Sequence, residues 1–412
     1  MSYTRRDFLR ATLGTSALIS LGPAGGNLVA SSATAAESRN SRDTVLVVIQ
    51  LTGGNDGLNT VVPYANDEYG RNRTTLRLPT AELHKIDSGL AFHPRMEAFS
   101  RLYHEGHLSI VQGVGHANID QDHDRAMRIW HTAEPDRPAC QTGWLGRVAD
   151  RLWSPARTDV AAAFVGPITR PFALNAERAI VPCVREAQDL TIQTPPGLSS
   201  RAHESRSGGM DTELLQFLRA GTLDARAKSE RIRSVVGSEA GTADYPPFGL
   251  AGSLRTIAQL IRADIGIRIF LTELGGGGIG GFDNHANQLG NHCALLHQLS
   301  ESVAAFVGDL ERNRALDRVL LMTFSEFGRT VKENGRRGTG HGAAAPVFLV
   351  GGKVKGGLVG PHPSLTDLKG GAPKPHTDFR QVYATVLDRW LGVKSHTVLG
   401  RQFEPLDVLS AS

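Results

Sequence analysis

The chain has 412 residues, 40% hydrophobic and 21% charged, the proportions of a globular protein long enough to bury a substantial core. Its formal net charge is +4, and removing the three arginines and one aspartate of the first 36 residues takes two from that and leaves +2, too weak a field to argue for nucleic acid. The three cysteines, Cys140, Cys183 and Cys293, are widely spaced with no CxxC pair, which argues against a disulfide framework or a thiolate zinc site and leaves at most one bridge.

The amino terminus carries a specific signal. Thr4-Arg5-Arg6-Asp7-Phe8-Leu9-Arg10, a mildly apolar stretch over 11–21 and Ala33-Thr34-Ala35 match a twin-arginine export signal at 1–36, cleaved near 35–36. The expected partner is the twin-arginine export machinery, and the expected location is periplasmic or secreted. A membrane anchor needs ~20 predominantly apolar residues, and this run is shorter and more polar, so no stable anchor is expected. Export in folded form suits a protein that acquires its metal or cofactor in the cytoplasm.

One α/β domain is expected over 43–409. Residues 44–51 form an unbroken run of strand character, as in a central strand covered on both faces. The run enters Thr52-Gly53-Gly54-Asn55-Asp56-Gly57-Leu58-Asn59-Thr60, where glycines turn the backbone sharply above the sheet edge. This is neither GxGxxG nor a phosphate-binding loop with its Lys-Ser, so a nucleotide cradle is unsupported. Asp56 reads either as a metal ligand or as a turn former.

A helix is expected with Pro94 in its first turn and Met96, Phe99, Leu102 and Tyr103 on one face, and a second strand covers 108–115. Next comes His116-Ala117-Asn118-Ile119-Asp120-Gln121-Asp122-His123-Asp124-Arg125, either a substrate or metal shelf or a surface turn with His123 held between two aspartates. A helix is expected over 141–153. Residues 155–250 are the least regular and read as an insertion or cap: β-like runs at 161–165 and 179–184 alternate with prolines, and 199–209 reads as an exposed loop.

From Leu250 the alternation becomes regular. A helix face of Leu254, Ile257, Ala258 and Ile261 precedes a strand at 267–271, a glycine-rich turn, and Phe282-Asp283-Asn284-His285-Ala286-Asn287-Gln288. A long helix through Leu295, Leu299, Val303, Phe306 and Leu310 then leads to a buried strand at 319–324, completing a βαβ unit. That strand ends in Ser325-Glu326-Phe327-Gly328-Arg329, and after a basic, glycine-containing loop the chain returns through His341 into an apolar run at 346–350. If this last strand is antiparallel, Glu326 and His341 face each other at the sheet edge, where open α/β folds place ligands. A final helix, N-capped by Thr377 or Asp378, buries Phe379, Val382, Tyr383, Val386, Leu387 and Trp390 and stops at Gly392.

These motifs, with Asn334-Gly335, Gly340-His341-Gly342 and Asp378-Phe379-Arg380-Gln381-Val382-Tyr383, resemble a family of exported bacterial proteins, domain-of-unknown-function family 1501, of the alkaline phosphatase-like superfamily. The resemblance covers nearly the whole mature chain. It implies a three-layer α/β sandwich, a mostly parallel sheet with helices on both faces, and divalent metal (Zn, Mn or Ca) at the carboxyl edge acting on an anionic phosphate or sulfate ester. It further implies Asp56, Asp283, His285, Glu326 and His341 as metal ligands, Arg329 or the Arg336-Arg337 pair steadying the anion, and Thr60 as a candidate nucleophile beside Asp56. Phe327 stands where the superfamily's second-metal histidine falls, and Gly340 where this family has an aspartate. The expected function is therefore a metal-dependent ester hydrolase, with a catalytically silent envelope-binding protein as the alternative.

Overall fold

The first strand, Val45–Leu51, is buried along its whole length, and its alternate side chains feed two different cores. A computed structural model describes residues 44–87, 89–118, 120–153, 160–184, 190–191, 244–276 and 281–410. The export signal expected at 1–36 and the loop expected at 199–209 lie outside the described residues.

In chain order the main elements are β1 (Val45–Leu51), α1 (Glu97–His104), β2 (Leu108–Gly115), α2 (His123–Thr132), α3 (Trp144–Leu152), β3 (Ala162–Val165), β4 (Cys183–Val184) and β5 (Leu190–Thr191). Then follow α4 (Gly249–Arg262), β6 (Ile269–Leu274), α5 (Gln288–Arg312), β7 (Val319–Phe324), β8 (Ala345–Val350), β9 (Gly357–Val359), β10 (Thr377–Asp378) and α6 (Phe379–Thr385).

The ten strands form one sheet in the order β9-β2-β8-β7-β1-β6-β3-β4-β5, with β10 also paired to β2. β1 is central, parallel to β7 (Val47 opposite Leu321) and to β6 (Val47 opposite Phe270). β8 is antiparallel to both β7 and β2, so β2 runs in the same direction as β1, β6 and β7. The carboxyl ends of these four strands therefore lie along one edge. β3 and β4, from the stretch expected to be an insertion, extend the same sheet.

Val45, Val47, Ile49 and Leu51 pack with α1, α4 and α5 on one face, while Leu46 and Val48 pack with α2, α3 and α6 on the other. This alternation follows from the two-residue period of a strand and makes the three-layer α/β sandwich. Asp378 caps α6 in a reciprocal capping box with Gln381. The helix continues as a π-turn over Val386–Leu391 and stops at Gly392, whose φ of 66° is left-handed. Cys140 and Cys293 are free thiols. Among the described residues, no helix is long and apolar enough to cross a membrane.

Two histidines are sealed into these layers. His131 donates to Gln50 Oε1 at 2.7 Å, and His292 to Asn55 Oδ1 at 3.0 Å. Burial pushes their pKa values down from 6.5 to about 3 and about 4. Both stay neutral in the folded chain while the unfolded chain takes up protons below pH 6.5, so stability falls as pH drops from that value towards the folded ones. At about pH 5 each should remove roughly 2 kcal/mol. With chelator present, the urea midpoint should be lower at pH 5 than at pH 7, and His131→Gln should flatten the dependence; a midpoint unchanged by pH would contradict this account.

Candidate metal centre

Four loops leave the common edge from β1, β2, β6 and β7 and meet over β1. Their approach depends on bare backbone: a Cβ on Gly53, at φ 113°, would lie 2.6 Å from the Asp283 nitrogen, and one on Gly338 would lie 2.2 Å from the His285 carbonyl carbon. Arg329 and His341 pair as an isolated antiparallel bridge, which returns the loop after β7 to the site.

The focus is Asp283 Oδ1. It lies 2.6 Å from Arg329 Nη2, 3.0 Å from His285 Nε2, 3.2 Å from His341 Nε2 and 3.3 Å from His123 Nε2. His285 Nε2 and His341 Nε2 are themselves 2.9 Å apart. The Asp283 side chain is 33% exposed and those of His123 and His285 are 34% and 36% exposed, so the cluster opens to solvent on one side. Beneath it, the buried Phe327 ring packs against His341 at 4.7 Å and His123 at 4.9 Å.

The outer nitrogens of two of these rings are fixed. His341 Nδ1 donates to the Gln121 carbonyl at 2.5 Å, and His123 Nδ1 lies 2.9 Å from Glu326 Oε1. A ring whose hydrogen sits on Nδ1 directs its Nε2 lone pair at Asp283. His123 Nε2 is buried without a hydrogen-bond partner among the described residues. Nitrogen lone pairs and a carboxylate oxygen this close repel unless a proton or a cation lies among them. The His123 pKa is raised, chiefly by its hydrogen bond to Glu326, which favours the protonated ring. Burial would raise the Asp283 pKa, but Arg329 outweighs it and the net shift is downward; burial lowers that of His285. His123, Asp283 and His341 offer ligand atoms within 4.8 Å of one another, and two imidazoles with one carboxylate, with the His285 ring beside Asp283 and His341, suit a divalent transition ion.

The residues expected to hold metal thus divide. Asp283, His285 and His341 come together. Glu326, 1% exposed, stands behind His123 and outside the cluster. Asp56 also stays apart: it accepts from Leu58 N and forms a buried two-pronged ion pair with Arg73 at 2.6 and 3.0 Å. Gln288 also donates to it. Burial would raise its pKa, but Arg73 outweighs that and sets it at about 2.

Arg329 is not free to hold a substrate anion, because it donates to the carbonyls of Gly53, Gly54, Phe282 and Thr339 besides Asp283. Thr60 is fully buried, its hydroxyl directed at Asp56 O (2.8 Å) and Asn55 Oδ1 (2.9 Å), which leaves no path to an ester. His123 is the residue whose role the sequence left open, and the dense His/Asp run was its signal. Arg73 carried no signal, since its partner is fixed only by the folded loop.

The layered sheet and the histidine–carboxylate cluster at its edge define an α/β protein with a candidate metal centre. The chain belongs to the family described as Protein of unknown function (DUF1501), which matches residues 43–403. No curated protein matches it. Among solved structures, it is similar to the C-terminal periplasmic domain of EcEptC from Escherichia coli in complex with Zn, at 10% identity over 75% of this chain and 72% of that one, with a TM-score of 0.36. It is also similar to an alkaline phosphatase superfamily protein from Vibrio parahaemolyticus (10% identity, 87% and 69% covered, TM-score 0.39). A third is the PsFucS1 sulfatase from Pseudoalteromonas sp. (11% identity, 94% and 75% covered, TM-score 0.38).

Asp56 and Arg73 are both inside, so removing one leaves the other charged and dry. Arg73→Ala should cost about 3–5 kcal/mol, read as a lower urea midpoint at pH 7. The pair's contribution is present above the unfolded aspartate value of 3.8 and is lost as pH falls through about 2. A variant as stable as the parent would show that the pair does not hold the loops.

Proposed function

We propose that this is an exported, metal-dependent hydrolase of phosphate or sulfate esters, handed to the twin-arginine machinery and acting in the periplasm or outside the cell. The observation that carries the reading is the set of imidazole nitrogens within 3.3 Å of Asp283 Oδ1, one of them buried and unpartnered. His123, Asp283, His285 and His341 would hold one divalent ion. Their nitrogen-rich set favours Zn or Mn over Ca, which prefers six to eight oxygens. When bound, the ion supplies Lewis-acid polarisation of the ester.

The chain's own residues do the rest. Arg329 keeps Asp283 ionised, and the carbonyl of Gln121 fixes the His341 tautomer. Phe327 closes the inner side of the site to water. Arg336 and Arg337 are exposed beside His285: Asn334 donates to the His285 carbonyl at 3.0 Å, and the carbonyls of Arg336 and Arg337 accept from Asn287 and Gln288. These two arginines would steady the anion, a role from which burial and its bonds to the surrounding loops keep Arg329.

A second reading, a catalytically silent envelope-binding protein, is favoured by the burial of Thr60, which leaves water as the nucleophile for any hydrolysis. Elemental analysis of protein purified from the periplasm separates the two. About one Zn or Mn per chain, lost in His341→Ala, is the expected result, followed by turnover of aryl phosphates, phosphodiesters or sulfates with metal supplied. No retained ion removes the hydrolase reading; an ion with silence across that panel leaves the binding protein.

A further inference from the structure

Glu326 has no open side. Its Oε1 accepts from Gly53 N at 2.8 Å and faces His123 Nδ1 at 2.9 Å, and its Oε2 accepts from Ser325 Oγ at 3.1 Å. The single Ser325 hydroxyl proton is shared between Oε2 and the Leu51 carbonyl at 2.7 Å, and the Gly53 N–H ties the carboxylate to the turn after β1, where it is buried. His123 stands between this buried carboxylate and Asp283, 34% exposed, with Nε2 towards the cluster.

We propose that Glu326 is a positioning residue that acts through His123, holding its ring in the orientation and tautomer that present Nε2 to a metal ion at Asp283. The inference rests on the metal reading above and deepens it. A fixed acceptor at Nδ1 places the ring hydrogen there, leaves the lone pair on Nε2 and increases the ring's donor strength. His341 carries the same arrangement with a weaker acceptor, the Gln121 carbonyl. The Phe327 ring lies against both imidazoles, so neither ring can turn freely once its Nδ1 is held. A buried carboxylate held by Gly53 N and facing His123 Nδ1 does not itself need to reach the ion.

The test is a double-mutant cycle on metal affinity, with Zn(II) competed against a chromophoric chelator and Co(II) absorption as a second readout. Glu326→Gln should weaken Zn(II) binding about 10–100-fold and alter the Co(II) spectrum. In the His123→Ala background the same change should cost less than about twofold, since the ring through which Glu326 acts is gone. His123 lies in the first turn of a surface helix and is part-exposed, so this background should fold; far-UV circular dichroism and the urea midpoint check all four proteins. An equal Glu326→Gln cost in both backgrounds, as a direct ligand or a purely structural residue would give, overturns this inference alone. So does no cost in the parent background. A parent chain that binds neither Zn(II) nor Co(II) overturns the metal reading and this inference together.

Discussion

One guanidinium ties the site together. Arg329 leaves the end of β7, turns into the interior, and donates to the turn after β1 at Gly53 and Gly54, the loop after β6 at Phe282 and Asp283, and the returning loop at Thr339. Carbonyl oxygens at the ends of a buried sheet have no strand partners and need donors. A planar group with five N–H bonds can satisfy several at once without losing its charge. The residual positive charge is then directed at a single carboxylate oxygen, and around that oxygen the histidines gather. Without this cross-link the loops would still leave the same edge, but three of them would lose their shared donor.

The edge itself follows from topology. β1, β2, β6 and β7 run in one direction, so loops far apart in sequence must emerge side by side. Ligand atoms from residues 123, 283 and 341 meet although each precedes or follows a different strand. The three carboxyl-end segments of β2, β6 and β7 supply the histidines and the aspartate of the cluster, and that of β1 supplies the wall against which they pack.

Much of this was legible in the sequence. The unbroken apolar runs of β1 and β7 read as buried strands because nothing polar interrupts them, and Asp283, His285 and His341 read as neighbours because the βαβ order forces them to one edge. Other boundaries were hidden by side chains whose partners are remote. The strand expected at 267–271 is shifted to Ile269–Leu274, because Glu273 finds the Gly276 N–H at the strand's end and so can lie within it. The run expected at 179–184 pairs only at Cys183–Val184, since Pro182 has no N–H to give the ladder. Asp56 was ambiguous for the same reason: its fate depends on Arg73, 17 residues away in a loop with no periodicity to predict its course.

Asp56 and Asp283 show how one kind of pair takes two roles. Each carboxylate faces a fully buried arginine side chain at 2.6 Å. Around Asp56, 3% exposed, both oxygens are occupied by Arg73, with Gln288 and Leu58 N adding donors, so the charge is cancelled where water cannot reach. Around Asp283, 33% exposed, the arginine approaches from inside and three imidazole nitrogens crowd the same oxygen. The first arrangement is complete in itself and can only hold the loops in place. In the second, lone pairs from separate segments converge on an oxygen already negative, an arrangement stable only with a proton or metal cation among them. The two aspartates thus differ in completeness: one charge is fully answered inside the protein, and the other is left open on the solvent side.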